Sequence, residues 1–304
     1  VKTALNRFAW LTAAATFLLV VAGALVTSHR AGLSVPDWPT TYGRFMFAYP
    51  VAKWVGGIRY EHVHRLIASV VGMLTVVLAF WLVKARMSRG LRWLGIGALA
   101  AVIVQGLLGG LTVLHYLPPS ISAAHGTLAQ TFFCITLTIA LLTSHQWETG
   151  AVSTSPRAGL LRALTLFTTL CVYGQLILGA IVRHSDQGVL AHIAGAVLVF
   201  TAISGCATLI MLDDQLRVFY WHGLGMVLLV SCQFGLGVAT LVVRAPKSSE
   251  ASLTIVQTLL PTIHVAVGAL LLAGSLMLTL KSFRFLKSAG QTGVLPLSPQ
   301  TVSS

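Results

Sequence analysis

Four of the ten histidines in this sequence stand in a pattern that could hold a metal. His64, within "YEHVHR", opens the second of eight long apolar runs, and His125, within "SAAHGTLAQ", opens the fourth. His192 opens the sixth, and His264, within "PTIHVAVGA", opens the eighth. Zinc usually takes three or four protein ligands. A haem iron needs only two axial ones, and facing helices of a bundle can supply them. Two histidines per site with an otherwise apolar lining therefore fits haem better. A lone membrane histidine is more often a polar side chain bonding between helices. Four at repeat-equivalent positions are instead candidates for function as a set.

Glu61 is the sharpest single residue after these. The chain has seven acids, and Glu61 alone lies within one helical turn of a candidate ligand, three residues before His64 and on the same helix face. The matching position before His192 is Val189, so one half carries a carboxylate that the other lacks. That asymmetry suggests one site for chemistry and one for holding a cofactor, against the plainer reading of an acid favoured at a helix N-terminus. Arg65, Arg183 and Arg244 stand at the outer ends of runs, where arginine could hold the two propionates of a haem; snorkelling explains the same positions equally well. His62, two residues from His64, points to another face and is expected at a helix interface or facing solvent. His29 and His184 are read as repeat-equivalent residues of the outer rim. His115, His145 and His222 are read as structural.

The elements that must position these groups follow from composition. Of 304 residues, 56 % are hydrophobic and 9 % charged, and the mean hydropathy is +0.85. A soluble domain carries about a quarter charged residues, so the chain reads as a multi-span helical membrane protein. The net charge of +13 falls mostly between the apolar runs. It is read as topology signal and attraction to membrane lipids, with no nucleic-acid partner. The runs are placed at 8–28, 60–83, 93–115, 121–143, 159–182, 189–212, 218–243 and 260–281. No cleavable leader is expected, because the first run is long enough to span and no A-x-A-like site follows it. Twelve of the 20 Lys and Arg residues fall on the side of the termini and eight on the other, which predicts both termini in the cytoplasm. Segment 29–59 is then a long outer loop. Its "GLSVPDWPTTYGRF" suggests turns, an interfacial aromatic and an ordered lid. Cys134, Cys171, Cys206 and Cys232 lie inside apolar runs as packing residues.

A repeat is visible. "QGLLGGLTV" (105–113) in run three matches "QFGLGVATL" (233–241) in run seven, and "GALVTSHRAG" (23–32) matches "GAIVRHSDQG" (179–188). The expected architecture is all-α, with eight transmembrane helices as two pseudo-symmetric four-helix bundles. Their limits are 1–146 and 157–287, followed by a flexible tail, 288–304. Each half spans an even number of times, so the relating axis runs along the membrane normal.

Taken together, Glu61 and His64 in "YEHVHR", His125 in "AAHG", "GAIVRH" before His192, His264 in the last run, and the loop "GLSVPDWPTTYGR" resemble the heme A synthase family over nearly the whole chain. The resemblance implies oxidation of a haem O methyl group to a formyl group, giving haem A for terminal oxidases. It implies that His64 and His125 hold the substrate haem, that His192 and His264 hold a haem b, and that Glu61 is needed for activity. It implies a prokaryotic plasma-membrane location with both haems toward the outer face. Implied partners are haem O synthase (the protohaem farnesyltransferase), a terminal oxidase and an unidentified electron carrier. Many family members carry a cysteine pair in the first outer loop; here residues around Ser34 or Val35, and Thr41, take its place, so that loop has no redox role. Two routes stay open: oxygen activation after one ligand leaves the iron, or stepwise electron removal followed by attack of water. Two other classes stay open as well, a dihaem cytochrome that only relays electrons and a transporter built from parallel repeats.

Overall fold

A computed structural model describes residues 2–243 and 253–288. With no water in a hydrocarbon layer, a spanning segment must satisfy its own backbone, and the apolar runs accordingly form helices. They are α1 (Lys2–Ser28), α2 (Gly57–Lys84), α3 (Arg89–Leu114), α4 (Pro119–Leu142), α5 (Ala158–Ser185), α6 (Val189–Leu212), α7 (Tyr220–Val242) and α8 (Ile255–Phe285). All eight are long and apolar enough to cross a membrane.

Their ends depart from the hydropathy reading where local chemistry sets the boundary. The eighth run was placed from 260, whereas a capping box starts α8 at Ile255. There Gln257 N donates to Thr254 Oγ1 and Thr254 N donates to the Gln257 side chain. The first helix starts six residues before the run read at 8–28, because polar residues are tolerated outside the hydrocarbon layer. Ser88 caps α3 by accepting from Leu91 N, and Pro119 stands in the first turn of α4.

Helices α1 to α4 close one ring, each against its neighbours in sequence and α1 against α4; α5 to α8 close a second in the same way. The core of the first holds Leu5, Ala9, Val71, Leu78, Phe132 and Ile139. Val172, Ile203, Met226, Val230 and Leu272 fill the second. The rings meet through α1 on α8 and α4 on α5, a reciprocal arrangement that a twofold axis produces. At this seam Ala269 and Ala273 of α8 let Val20, Phe133 and Leu137 approach closely. Tyr173 and Thr131 join their hydroxyls across it at 2.7 Å.

The links differ between the halves. On the face away from the termini, residues 29–56 join α1 to α2, but only 186–188 join α5 to α6. On the terminal face a short helix, His145–Thr149, precedes the connector between the halves, and Ser153–Thr154 pairs in parallel with Leu286–Lys287. The tail expected at 288–304 and the candidate Arg244 lie outside the described residues, except Ser288.

Candidate functional site

Every even-numbered helix carries one of the four histidines within its first three turns, and each ring is seated in the same way. Its Cε1 edge faces a glycine of the preceding helix. A Cβ added at Gly23 would stand 3.1 Å from His64 Cε1, and one at Gly109 would stand 3.1 Å from His125 Cε1. At Gly179 the distance to His192 Cε1 would be 3.1 Å, and at Gly237 the distance to His264 Cε1 would be 3.2 Å. The repeat thus runs through four helical hairpins, two per half. It also fixes the register, with Gly23 answering to Gly179. His29 then answers to Ser185 and His184 to Ser28, which corrects by one residue the equivalence expected for His29 and His184. His29 stacks on Tyr60 with ring centroids 3.8 Å apart.

In the second half the two rings stand as a pair. His192 and His264 face each other with centroids 6.4 Å apart and planes inclined by 77°. A metal–nitrogen bond of about 2 Å, plus the distance from nitrogen to ring centre, puts two imidazoles on opposite sides of one metal about 6 Å apart, so this spacing fits an axial pair. His125 is close enough to His64 for the two rings to interact electrostatically. In all four rings Nδ1 is buried and has no hydrogen-bond partner, the situation a ligand or ordered water would relieve. No group of three or more His, Cys, Asp or Glu side chains that could hold a metal exists among the described residues. The donor set therefore fits a cofactor that brings its own equatorial ligands.

Three glutamines accompany these rings. Gln105 Nε2 donates to the His125 carbonyl oxygen at 3.0 Å and stands 3.4 Å from His125 Nε2. Gln175 Nε2 donates to the His192 carbonyl oxygen at 2.7 Å. Gln233 Nε2 stands 3.3 Å from His264 Nε2. Sequence reasoning used Gln105 and Gln233 only as repeat markers, and missed Gln175 and the four glycines. The signal was available as Q-x-x-L-G, present at 105–109, 175–179 and 233–237.

Glu61 and Arg65 clamp the long loop. Arg65 donates to the carbonyl oxygens of Asp37 (2.7 Å), Thr40 (3.0 Å) and Val35 (2.9 Å), and to Glu61 Oε1 at 2.6 Å. Val35 N donates to Glu61 Oε2 at 2.9 Å. The two side chains are 4 % and 10 % exposed, so this is a buried ion pair. Trp38 lies flat on α3, where a Cβ at Gly110 would come within 2.6 Å of the indole. His62, expected at an interface or facing solvent, is instead fully buried beneath the loop. It meets Thr41 Oγ1 at 3.2 Å, and Tyr49 and Trp54 flank its ring. The loop buries the face that helix periodicity alone left open. Within the loop Asp37 accepts from Thr40 Oγ1, Tyr42 N and Gly43 N. Burial works to raise its pKa, but these hydrogen bonds outweigh it and hold the carboxyl below its usual 3.8. Burial and the nearby Tyr49, Glu61 and Asp37 push the Tyr42 phenol up.

The second candidate arginine is placed differently. Arg183 is half-buried at the seam, donating to the Ala24 carbonyl oxygen (2.8 Å) and to Ser28 Oγ (2.9 Å), which Thr262 also reaches. Among the described residues it forms no ion pair. Arg65 is thus neutralised by Glu61, while Arg183 keeps an unbalanced charge. The other histidines bond elsewhere: His115 to the Leu111 carbonyl, His145 to Thr149, and His222 Nε2 to Lys281 Nζ at 2.9 Å on the terminal face.

A family model described as COX15-CtaA, cytochrome oxidase assembly protein, matches residues 6–56 and 57–193, which include Glu61, His64, His125 and His192. The heme A synthase of Symbiobacterium thermophilum is 32 % identical over 191 residues, covering 60 % of this chain and 60 % of that protein. Those of Alkalihalophilus pseudofirmus and Shouchella clausii are 24 % identical over 184 residues and 27 % over 188, each match again covering 60 % of both chains. The chain therefore matches about 60 % of the length of these curated relatives. With the family model spanning more than half of the sequence, the chain belongs to the COX15-CtaA family of cytochrome oxidase assembly proteins.

Proposed function

We propose that this protein is a heme A synthase, oxidising the methyl group of haem O to the formyl group of haem A for a terminal oxidase. The observation that carries this reading is a duplicated set of glycine-seated imidazoles, two in each half, of which only one half is roofed. His64 and His125 lie in the half covered by the loop that Glu61 and Arg65 clamp, whereas Val189 and a three-residue link stand in the equivalent places beside His192. On this reading His64 and His125 hold haem O, and His192 and His264 hold a resident haem b. When bound, haem supplies an iron whose electron transfers oxidise the ring substituent. The protein's own contribution is placement and proton handling. The glycine-seated imidazoles orient the ring, the loop limits water, and the Glu61 carboxylate is the acceptor for a proton released beside it. Arg183, half-buried and without a carboxylate partner among the described residues, holds a propionate.

The terminal face lies in the cytoplasm and the loop face outside, in agreement with the twelve-to-eight distribution of basic residues, and the membrane is a prokaryotic plasma membrane. Haem O synthase delivers the substrate, a terminal oxidase receives the product, and a separate carrier takes the electrons.

Co-expression with a source of haem O, followed by extraction and mass spectrometry of the bound haem, tests the reading. Haem A in the wild-type extract and haem O in that of Glu61→Gln is the expected result. A colourless protein would support a transporter instead, and bound haem that is never oxidised would support an electron relay.

A further inference from the structure

Three of the four imidazoles share a support that the fourth lacks. Gln105, Gln175 and Gln233 each stand four residues before the ring-contacting glycine, on α3, α5 and α7. Their amides reach across to the next helix, two to the histidine carbonyl oxygen and one to the ring itself. Gln175 fills the space above Gly195, one turn beyond His192, where a Cβ would stand 2.2 Å from its Oε1. Such a bridge fixes the height of the histidine-bearing turn against the glycine that seats the ring. On α1 the register-equivalent residue, four before Gly23, is Leu19, packed against the apolar core of the first half. Leucine makes no hydrogen bond, so α1 sends no side-chain bridge to the turn carrying His64, which is tied instead to the loop through Glu61 and Arg65.

The distribution follows the halves. The α5–α8 half has glutamine at both histidines; the roofed half has it at one. Resting on the reading of the pairs as haem sites, we propose that Gln105, Gln175 and Gln233 are positioning residues that lock His125, His192 and His264, and that Leu19 leaves His64 as the one ligand able to release the iron. The site that must exchange substrate for product thereby has a yielding side, while the resident site has none.

Carbon monoxide binds reduced haem iron only where an axial position opens, so it reads this property without reference to turnover. The purified full chain is loaded with haemin, reduced with dithionite and exposed to carbon monoxide, while total haem is counted by the pyridine haemochrome method. At sub-saturating carbon monoxide, only the haem of the roofed half reacts in the wild type. In Leu19→Gln the reactive fraction falls about threefold, the change that one interhelical hydrogen bond of average strength brings in a membrane. In Gln175→Leu, which places at the second half the residue α1 already carries, the reactive fraction rises above that of the wild type. Equal fractions in all three proteins at full haem content overturn the inference and leave the haem reading standing. Absence of bound haem in the wild type overturns both. Should Leu19→Gln fail to accumulate, the gain or its absence in Gln175→Leu decides.

Discussion

At the scale of the residue, Glu61 and Arg65 show how one ion pair serves both a fold and a site. Removing one partner of a buried pair leaves an uncompensated charge and costs about 3–5 kcal/mol, more than the intact pair contributes over an apolar replacement. Glu61→Gln keeps an acceptor for Val35 N but strands the Arg65 guanidinium among three carbonyl oxygens. Amide hydrogen exchange in the loop should therefore quicken in Glu61→Gln, and the double variant Glu61→Gln/Arg65→Met should be less perturbed than the single one. Equal perturbation would show the two side chains to be uncoupled. Glu61 was legible in the sequence because acids are so scarce there. The loop partners of the pair were not, since Val35, which bonds Glu61, and Asp37, whose carbonyl accepts from Arg65, come from a loop whose path no periodicity encodes. The same holds for His62, assigned from its helix face and then buried by Thr41, Tyr49 and Trp54 of the loop before α2.

At the scale of the element, the loop 29–56 is held at three places: the Arg65 clamp, the Trp38 platform on Gly110, and the Asp37 turn. Gly110→Val would drive a side chain into the indole plane. The expected result is a red-shifted tryptophan emission, absent when Trp38→Phe is added, with helix content unchanged. The Asp37 turn responds to acid. Its folded-state pKa lies below the usual 3.8, so the turn stabilises the loop fully above about pH 4 and loses that support as pH falls through the folded value. Loop exchange should accelerate on acidification in the wild type, and Asp37→Asn should remove that acid limb. The eight helices themselves were legible from hydropathy, because a bilayer permits little else. Their first residues were not, because the Thr254 capping box and the polar turn before Phe8 lie outside the apolar count.

At the scale of the whole molecule, the duplication made the four histidines readable as a set, and the glycine contacts show why their spacing repeats: each ring needs a missing side chain on the helix before it. Hydropathy also placed the long link at 29–59; what it did not convey is that this link folds over the His62 ring. On the proposed haem reading, His192→Ala and His264→Ala fall in one pair, so each should lower bound haem from two equivalents to about one, and the two together should lower it no further. A loss of both haems in either single variant would mean that the halves do not load independently.

The small parallel pairing of Ser153–Thr154 with Leu286–Lys287 has a consequence for how such a molecule can be made. Arg162 adds bonds to the Ser282 and Leu286 carbonyl oxygens, and Arg284 reaches back to the Trp147 carbonyl. The segment between the halves is thereby stitched to the far end of α8, while Ala151 and Val152 just before the stitch are exposed. Covalent continuity at those two residues does no mechanical duty. A gene interrupted there should yield two polypeptides that insert separately, find each other in the bilayer and purify as one coloured particle.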